Sequence, residues 1–324
     1  MGFRSVVAVA AFLGFVGPSS AADYRALSSW DQSYPARTML FDKFLKNLET
    51  ASKGEMKFIV SGPETVPSFE QLQPVGAGAF QLLFTHGAYH FGTTPYLTAL
   101  EGLTGDLAKW REAGIHDLVD KHYQRFGLKL IALAQSPEGG YHIILRAPVG
   151  PSGDLHGRKI RGTQTYASVL QMLGASPVVL PPNEIYPSLE KGVVDGAAWP
   201  VIGALGYRWY EVAKYPLRPS FGTVAQVIFM NLNTWNRLPD AQKKIVTEEA
   251  RKIEDEWFGE WTRLAKEEED ALIARGAQLT EMGPEQKAKL QKAWSDGLIA
   301  LGMPKNPQAI GELQQLGKSK GMLP

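Results

Sequence analysis

The chain has 324 residues, 44% of them hydrophobic and 21% charged, with a formal net charge of +1. That length suggests about two domains, and so small a charge provides no field that would gather nucleic acid or an anionic membrane. Cysteine is absent, which excludes disulfides, thiolate metal sites and cysteine nucleophiles together.

Met1 to Ala22 carries one base, Arg4, then an apolar run from Val6 to Val16, a Gly17-Pro18 break and small residues at Ser20 and Ala22. This order predicts a secretory signal peptide over residues 1–22, cleaved near Ala22, or alternatively after Ala21. The run is too short for an anchor, and no later segment approaches the roughly 20 apolar residues that span a bilayer, so no direct membrane insertion of the mature chain is expected.

Tyr24 to Ser29 reads as a first strand that ends in the Ser29-Trp30-Asp31 loop, and the helix after Pro35 presents Leu40, Phe44 and Leu48 on one face. Lys57 to Val60 and Phe80 to Phe84 are the next strands, the latter running into Thr85-His86-Gly87. Alternating strands and helices predict sheets covered by helices on both faces. Leu128 to Ala134 and Tyr141 to Arg146 are strands flanking a polar crossover, Gln135 to Gly140.

The segment from Gly157 to Pro200 is the most informative. Lys159 to Arg161 is a short strand that breaks at Gly162, and Tyr166, Val169, Leu170 and Leu173 form the stripe of a short helix capped by Gly174. Val178 to Leu180 reads as a buried strand, Asn183 as the cap of a second helix with Ile185 and Leu189, and Asp195-Gly196 as a turn. In open α/β sheets ligands bind beyond the carboxyl ends of strands, where Arg161 and the Asp195 to Trp199 segment both fall. A guanidinium there suggests an anion, most economically a carboxylate, although a strand-end arginine is also commonly a surface ion pair.

Farther on, Val224 to Asn231 is a strand, and a helix opening near Trp235 to Gln242 carries Val246, Ala250, Ile253, Trp257, Trp261 and Leu264 at helical spacing. Continued to Arg275 it is about 50 Å long. Lys266 to Asp270 and the Glu248-Glu249 pair read as solvated faces, and Glu285 to Leu301 and Gln308 to Gly321 as helices without a chemical motif.

Leu155, Gly157, Lys159, Ile160 and Arg161, then Leu173 to Val178, Glu184 to Tyr186, and Leu189 to Gly196 match successive blocks of one family. The chain resembles the solute-binding proteins of tripartite ATP-independent periplasmic (TRAP) transporters, in the dicarboxylate-binding (DctP-type) branch. The resemblance implies a two-lobed α/β periplasmic binding protein fold, with a hinge of crossing strands and a long helix bracing both lobes. Lobe I is expected over residues 23–138 and 227–266, and lobe II over 139–226 and 267–324. It also implies a periplasmic receptor that hands an organic acid to TRAP membrane permease subunits without ATP; no cofactor, no metal-ligating residues and no catalysis are expected of the chain. The chain is taken to act as a monomer.

In the family Arg161 would clamp the ligand carboxylate. Many members place Asn where Trp199 stands, and carry another arginine where this chain reads Gly140-Tyr141-His142; both departures point away from two carboxylates and toward an aromatic or apolar monocarboxylate. A small 2-oxo or 2-hydroxy acid, or a C4 dicarboxylate, is the alternative ligand. Trp199 either walls the site or packs beneath the sheet. Trp30, Asp31, Thr85, His86, Tyr89 and His142 are the further candidate ligand contacts, with Asp31 equally able to cap a helix. His86 and His90 have the i, i+4 spacing of a zinc pair but lack its glutamate, so hydrogen bonding is the preferred reading. Tyr207, Trp209 and Phe221 line the cleft or fill core, and Glu184 and Tyr186 hold a helix or touch ligand. A secreted α/β hydrolase is the remote alternative, disfavoured because no G-x-S-x-G elbow or phosphate loop is present.

Overall fold

The computed structural model describes residues 22–323. The signal peptide expected over residues 1–22 therefore lies outside the described residues, but for the backbone of Ala22. Two sheets organise the chain. The first contains β1 (Ala22–Ser28), β2 (Met56–Ser61), β3 (Leu82–His86) and β4 (Leu128–Gln135). The second contains β5 (Tyr141–Leu145), β6 (Lys159–Arg161), β7 (Ser176–Val178), β8 (Gly196–Pro200) and β9 (Tyr215–Phe221). The chain then returns with β10 (Ala225–Asn231), and β11 (Thr280–Glu281) closes the edge of the second sheet. The strand orders are β2-β1-β3-β10-β4 and β11-β9-β5-β8-β6-β7. Strand β10 runs antiparallel between β3 and β4, so a late segment completes the first sheet.

The chain crosses between sheets three times, from β4 to β5, from β9 to β10 and, through the long helix, from β10 to β11, and the first two crossings are hydrogen-bonded side by side. Ser136 N–H donates to Val224 O at 2.9 Å, and Gly139 and Gly140 N–H to Gly222 O at 2.9 and 2.8 Å. Gly222 has φ +65°, and a Cβ there would stand 2.4 Å from the Trp294 ring, so this hinge position requires glycine on both counts. Strand alternation sorts the first sheet's apolar residues onto two faces. Leu82, Phe84, Ile228 and Met230 join a core that extends to the second sheet, whereas Leu27, Leu83, Val227 and Phe229 pack on the opposite side.

The long helix is a single element, Asp240–Ala274, of 35 residues, or about 52 Å. Its first half packs on β4, where Glu254 Oε1 accepts the Leu133 N–H at 2.7 Å. Its last turns meet the second sheet's side, where Glu268 holds the backbone of Gly203 and Leu205 and Glu269 pairs with Arg218. It thus contacts both lobes of the two-lobed fold. The C-terminal helix Pro307–Ser319 places Ile310 and Leu313 in the core behind the first sheet, whereas the expected boundaries put it with lobe II.

Several local expectations are corrected. Trp235 and Leu238 do not open the long helix: Leu232–Arg237 is a separate short helix, and Pro239 starts the next. The strand expected at Val178 to Leu180 begins earlier, at Ser176, and is exposed because β7 is an edge strand paired only with β6. Asn183 makes no capping bond, since a 3₁₀ turn over Pro182–Glu184 leads straight into Ile185–Glu190. Nor are the acidic runs wholly solvated: Glu249 is buried beside Lys252, and Glu268 is 5% exposed.

Candidate ligand-binding cleft

Arg161 is the last residue of β6, and its side chain is 1% exposed. Nε and Nη2 donate to Leu180 O at 3.0 and 2.8 Å, and Nη1 donates to Ala198 O at 3.1 Å. The guanidinium carbon lies 5.1 Å from the centre of the Trp199 ring. Of its five N–H groups three are therefore committed, leaving one on each terminal nitrogen. Burial pushes its pKa down, and the neighbours that favour its charge are tyrosine hydroxyls, Tyr89 first, rather than any carboxylate. The backbone carbonyls orient the fork without neutralising it.

Arg161 lines a cavity between the sheets that is walled by Trp30, Tyr34, Tyr89, Tyr141, Tyr166 and Trp199. Most lining residues lie at or just beyond the carboxyl ends of β1, β3, β6 and β8, the expected crevice of an open α/β sheet. Its volume is about 20 Å³, room for about one water molecule, so an organic ligand enters only if the sheets part or the rings move. Burial pushes the Tyr89 hydroxyl up to about 12 and drives Tyr34, Tyr141 and Tyr166 well above the ordinary tyrosine range. All four present neutral hydroxyls at neutral pH.

Trp199 is 2% exposed, edge-on to Tyr34 at 5.6 Å and to Trp209 at 5.4 Å, so it both walls the cavity and packs into an aromatic cluster. Trp30 donates its Nε1 proton to the Tyr89 hydroxyl at 2.9 Å, fixing two further walls. His86 lines the cavity with both nitrogens engaged. Nδ1 accepts the Ala88 N–H at 3.1 Å, so Nε2 carries the proton and donates to Glu101 Oε1 at 2.6 Å. That carboxylate oxygen also accepts from the Tyr141 hydroxyl and the Ala225 N–H, each at 2.8 Å.

The structure places three sequence candidates away from the cavity wall. Thr85 has the opposite strand parity from His86 and bonds Ser29 Oγ at 2.7 Å. Asp31 is exposed and accepts the Ser33 N–H at 2.8 Å, closing a local turn rather than capping a helix. His142 lies 3.3 Å from Arg218, on the side of the long helix. His90 diverges from His86 to meet the Tyr123 hydroxyl at 2.7 Å. Tyr207 is partly buried against the core, stacked on Trp209, and Phe221 packs on Trp294 in the core, while Tyr186 bonds Glu211 near the surface. Sequence reasoning missed Tyr34, Tyr141, Tyr166 and Gln226 as lining residues. Gln226 alone left a signal, a polar residue inside the apolar run Ala225–Asn231.

No helix among the described residues is long and apolar enough to cross a membrane. The chain is 25% identical over 286 residues to a monocarboxylate 2-oxoacid-binding periplasmic protein of Nostoc sp., covering 83% of this chain and 76% of that one. Its fold superposes on a TRAP periplasmic solute-binding protein of Desulfovibrio salexigens, solved with orotic acid, at a TM-score of 0.81 and 21% identity over 92% of this chain and 98% of that one. A TRAP solute-binding protein of Bordetella bronchiseptica, solved with calcium and picolinate, gives 0.81 and 23% over 93% and 91%. The profile of the DctP family, described as bacterial extracellular solute-binding protein, family 7, matches residues 28–297. With Arg161 and the aromatic cavity inside the matched region, the chain belongs to the DctP family of bacterial extracellular solute-binding proteins.

Proposed function

We propose that this protein is the exported receptor of a TRAP transporter for an acid with one carboxylate and an aromatic or apolar body. The observation that carries this reading is Arg161: a buried cation with no carboxylate partner among the described residues and one N–H on each terminal nitrogen not taken by a carbonyl, lining a cavity with six aromatic walls. A carboxylate supplies the two acceptors and the charge the fork lacks, and the rings supply the surface for its body. Arg161 is the only Lys or Arg among the lining residues, so a second carboxylate has no cation to meet. That disfavours a C4 dicarboxylate.

On this reading the ligand enters while the lobes are apart, bridges them and stabilises the closed form. The closed form is what the membrane permease subunits take up. Lobe I corresponds to residues 23–138 and 227–266, and lobe II to 139–226 and 267–324, with Pro307–Ser319 docked back on the first sheet. Residues 1–22 direct export and are removed near Ala22. A small 2-oxo acid is the second reading, favoured by the name of the Nostoc relative and by the narrowness of the cavity.

Thermal unfolding against aromatic monocarboxylates, small 2-oxo and 2-hydroxy acids, C4 dicarboxylates and sugar acids tests the proposal. A ligand at about a thousand times its dissociation constant adds about 4 kcal/mol, a clear rise in Tm. A rise confined to aromatic or bulky apolar monocarboxylates is expected. A rise only with dicarboxylates or sugar acids would overturn the specificity.

A further inference from the structure

Gln226 sits near the start of β10, directly opposite His86 across the ladder, and its side chain is 1% exposed. Nε2 donates to the Tyr34 hydroxyl at 2.9 Å, which leaves Oε1 turned the other way. That oxygen is fully buried, has no partner, and belongs to a residue that lines the cavity. Of the other lining acceptors, His86 Nδ1 takes the Ala88 N–H, and the Tyr89 oxygen accepts the Trp30 indole proton. Among the described lining side chains, Gln226 Oε1 is the one oxygen that is both fully buried and unpartnered. A buried carbonyl oxygen without a donor is costly and marks a place where a donor belongs.

We infer that Gln226 is a specificity-determining residue that reads a hydrogen-bond donor on the ligand, a hydroxyl, an amide N–H or a ring N–H. The inference rests on the reading of Arg161 as the carboxylate clamp, and it makes the cavity bipolar. Arg161 comes from the second sheet and offers donors. Gln226 comes from the first and offers an acceptor. A ligand with a carboxylate and a donor engages both sheets, whereas one with a carboxylate alone is held by the second sheet and leaves Oε1 unsatisfied. This separates ligands that charge and apolar bulk do not: a 2-hydroxy acid above the matching 2-oxo acid, and a ring N–H above a ring oxygen. Sites built to bond a polar ligand group reject the analogue that lacks it for the same reason.

The test is calorimetric titration of the mature protein with two matched pairs, pyrrole-2-carboxylate against furan-2-carboxylate and 4-hydroxybenzoate against 4-methylbenzoate. Each pair differs in one donor at nearly constant size. The donor-bearing member is expected to bind about tenfold or more tightly in at least one pair. Gln226→Met, close in shape and without the acceptor, is expected to bring that ratio to within about twofold, the ratio and not either absolute affinity being the readout. Tyr34→Phe, which removes the hydroxyl that orients the amide, shrinks the ratio as well and carries the test if Gln226→Met lowers the unliganded Tm. Equal binding within both pairs, a preference for the furan or methyl member, or a ratio that survives Gln226→Met overturns the inference and leaves the clamp intact. Binding of neither member of either pair to the wild type overturns the clamp reading, and this inference with it.

Discussion

Arg111 and Arg161 are two arginines with opposite surroundings. Arg111, on the helix Leu107–Glu112, reaches the long helix, with Nη2 3.0 Å from Glu254 and Nη1 2.5 Å from Asp255. Burial alone would lower its pKa, but the hydrogen bonds it donates to those two carboxylates outweigh it and the net shift is upward. Arg161 is more deeply buried, meets carbonyl dipoles, aromatic rings and tyrosine hydroxyls but no carboxylate, and is shifted downward by burial. One charge is balanced by the protein itself. The other is held in place but left unbalanced, which a stable fold tolerates where a ligand completes the pair.

The comparison breaks if the two respond alike to removal. The largest expected effect is on binding: Arg161→Ala should weaken the preferred acid by about a hundredfold or more, or about 3 kcal/mol, and Arg111→Ala by less than about twofold, read by calorimetry. On stability the order reverses. Arg111→Ala leaves Glu254 buried with the Leu133 N–H as its remaining donor and should cost about 1–2 kcal/mol in urea unfolding, a figure reduced for the partial exposure of Arg111. Arg161→Ala should cost less than this or raise Tm, because it removes a desolvated cation.

Glu268 sharpens the comparison from the acidic side. Its oxygens accept the Gly203 and Leu205 N–H groups at 2.6 and 2.8 Å, yet burial wins and raises its pKa from 4.5 to about 7. A carboxyl raised on folding favours the folded state below its unfolded value, and that contribution is lost as pH rises through about 4.5 to 7. The difference is of order 3 kcal/mol. His90, lowered to about 3 chiefly by burial, works against this slope, destabilising as pH falls below about 6.5. Glu268→Gln should therefore remove only the loss between about pH 4.5 and 7; an unchanged difference from wild type across that window would show that Glu268 ionises normally. The smallest effect is on ligand ranking. Trp199→Asn should favour more polar acids by a few-fold, and an unchanged order would remove Trp199 from ligand contact.

Much of this was legible in the chain. The Arg161 strand has the predicted bounds, and Trp30, His86, Tyr89 and Trp199 reach the cavity because strand-end loops point into the crevice. Thr85 failed on parity: adjacent strand residues face opposite sides, and it pairs with Val227 toward the rear core. Tyr141 and Tyr166 were hidden because an aromatic ring in an apolar stripe has the same pattern whether it fills a core or walls a cavity. Glu268 and Glu269 are neighbours in one charge run, but helix geometry buries the first beneath the Gly203 turn. Such burial depends on a partner sixty-odd residues away, which local spacing does not encode.

The central claim is that one carboxylate completes Arg161. The most direct measurement is calorimetric titration of the wild-type protein with the tightest-binding acid and with its primary carboxamide, equal in size and shape but uncharged. The account predicts that the acid binds and the amide is weaker by about a hundredfold or more. Comparable affinity for the two would contradict it.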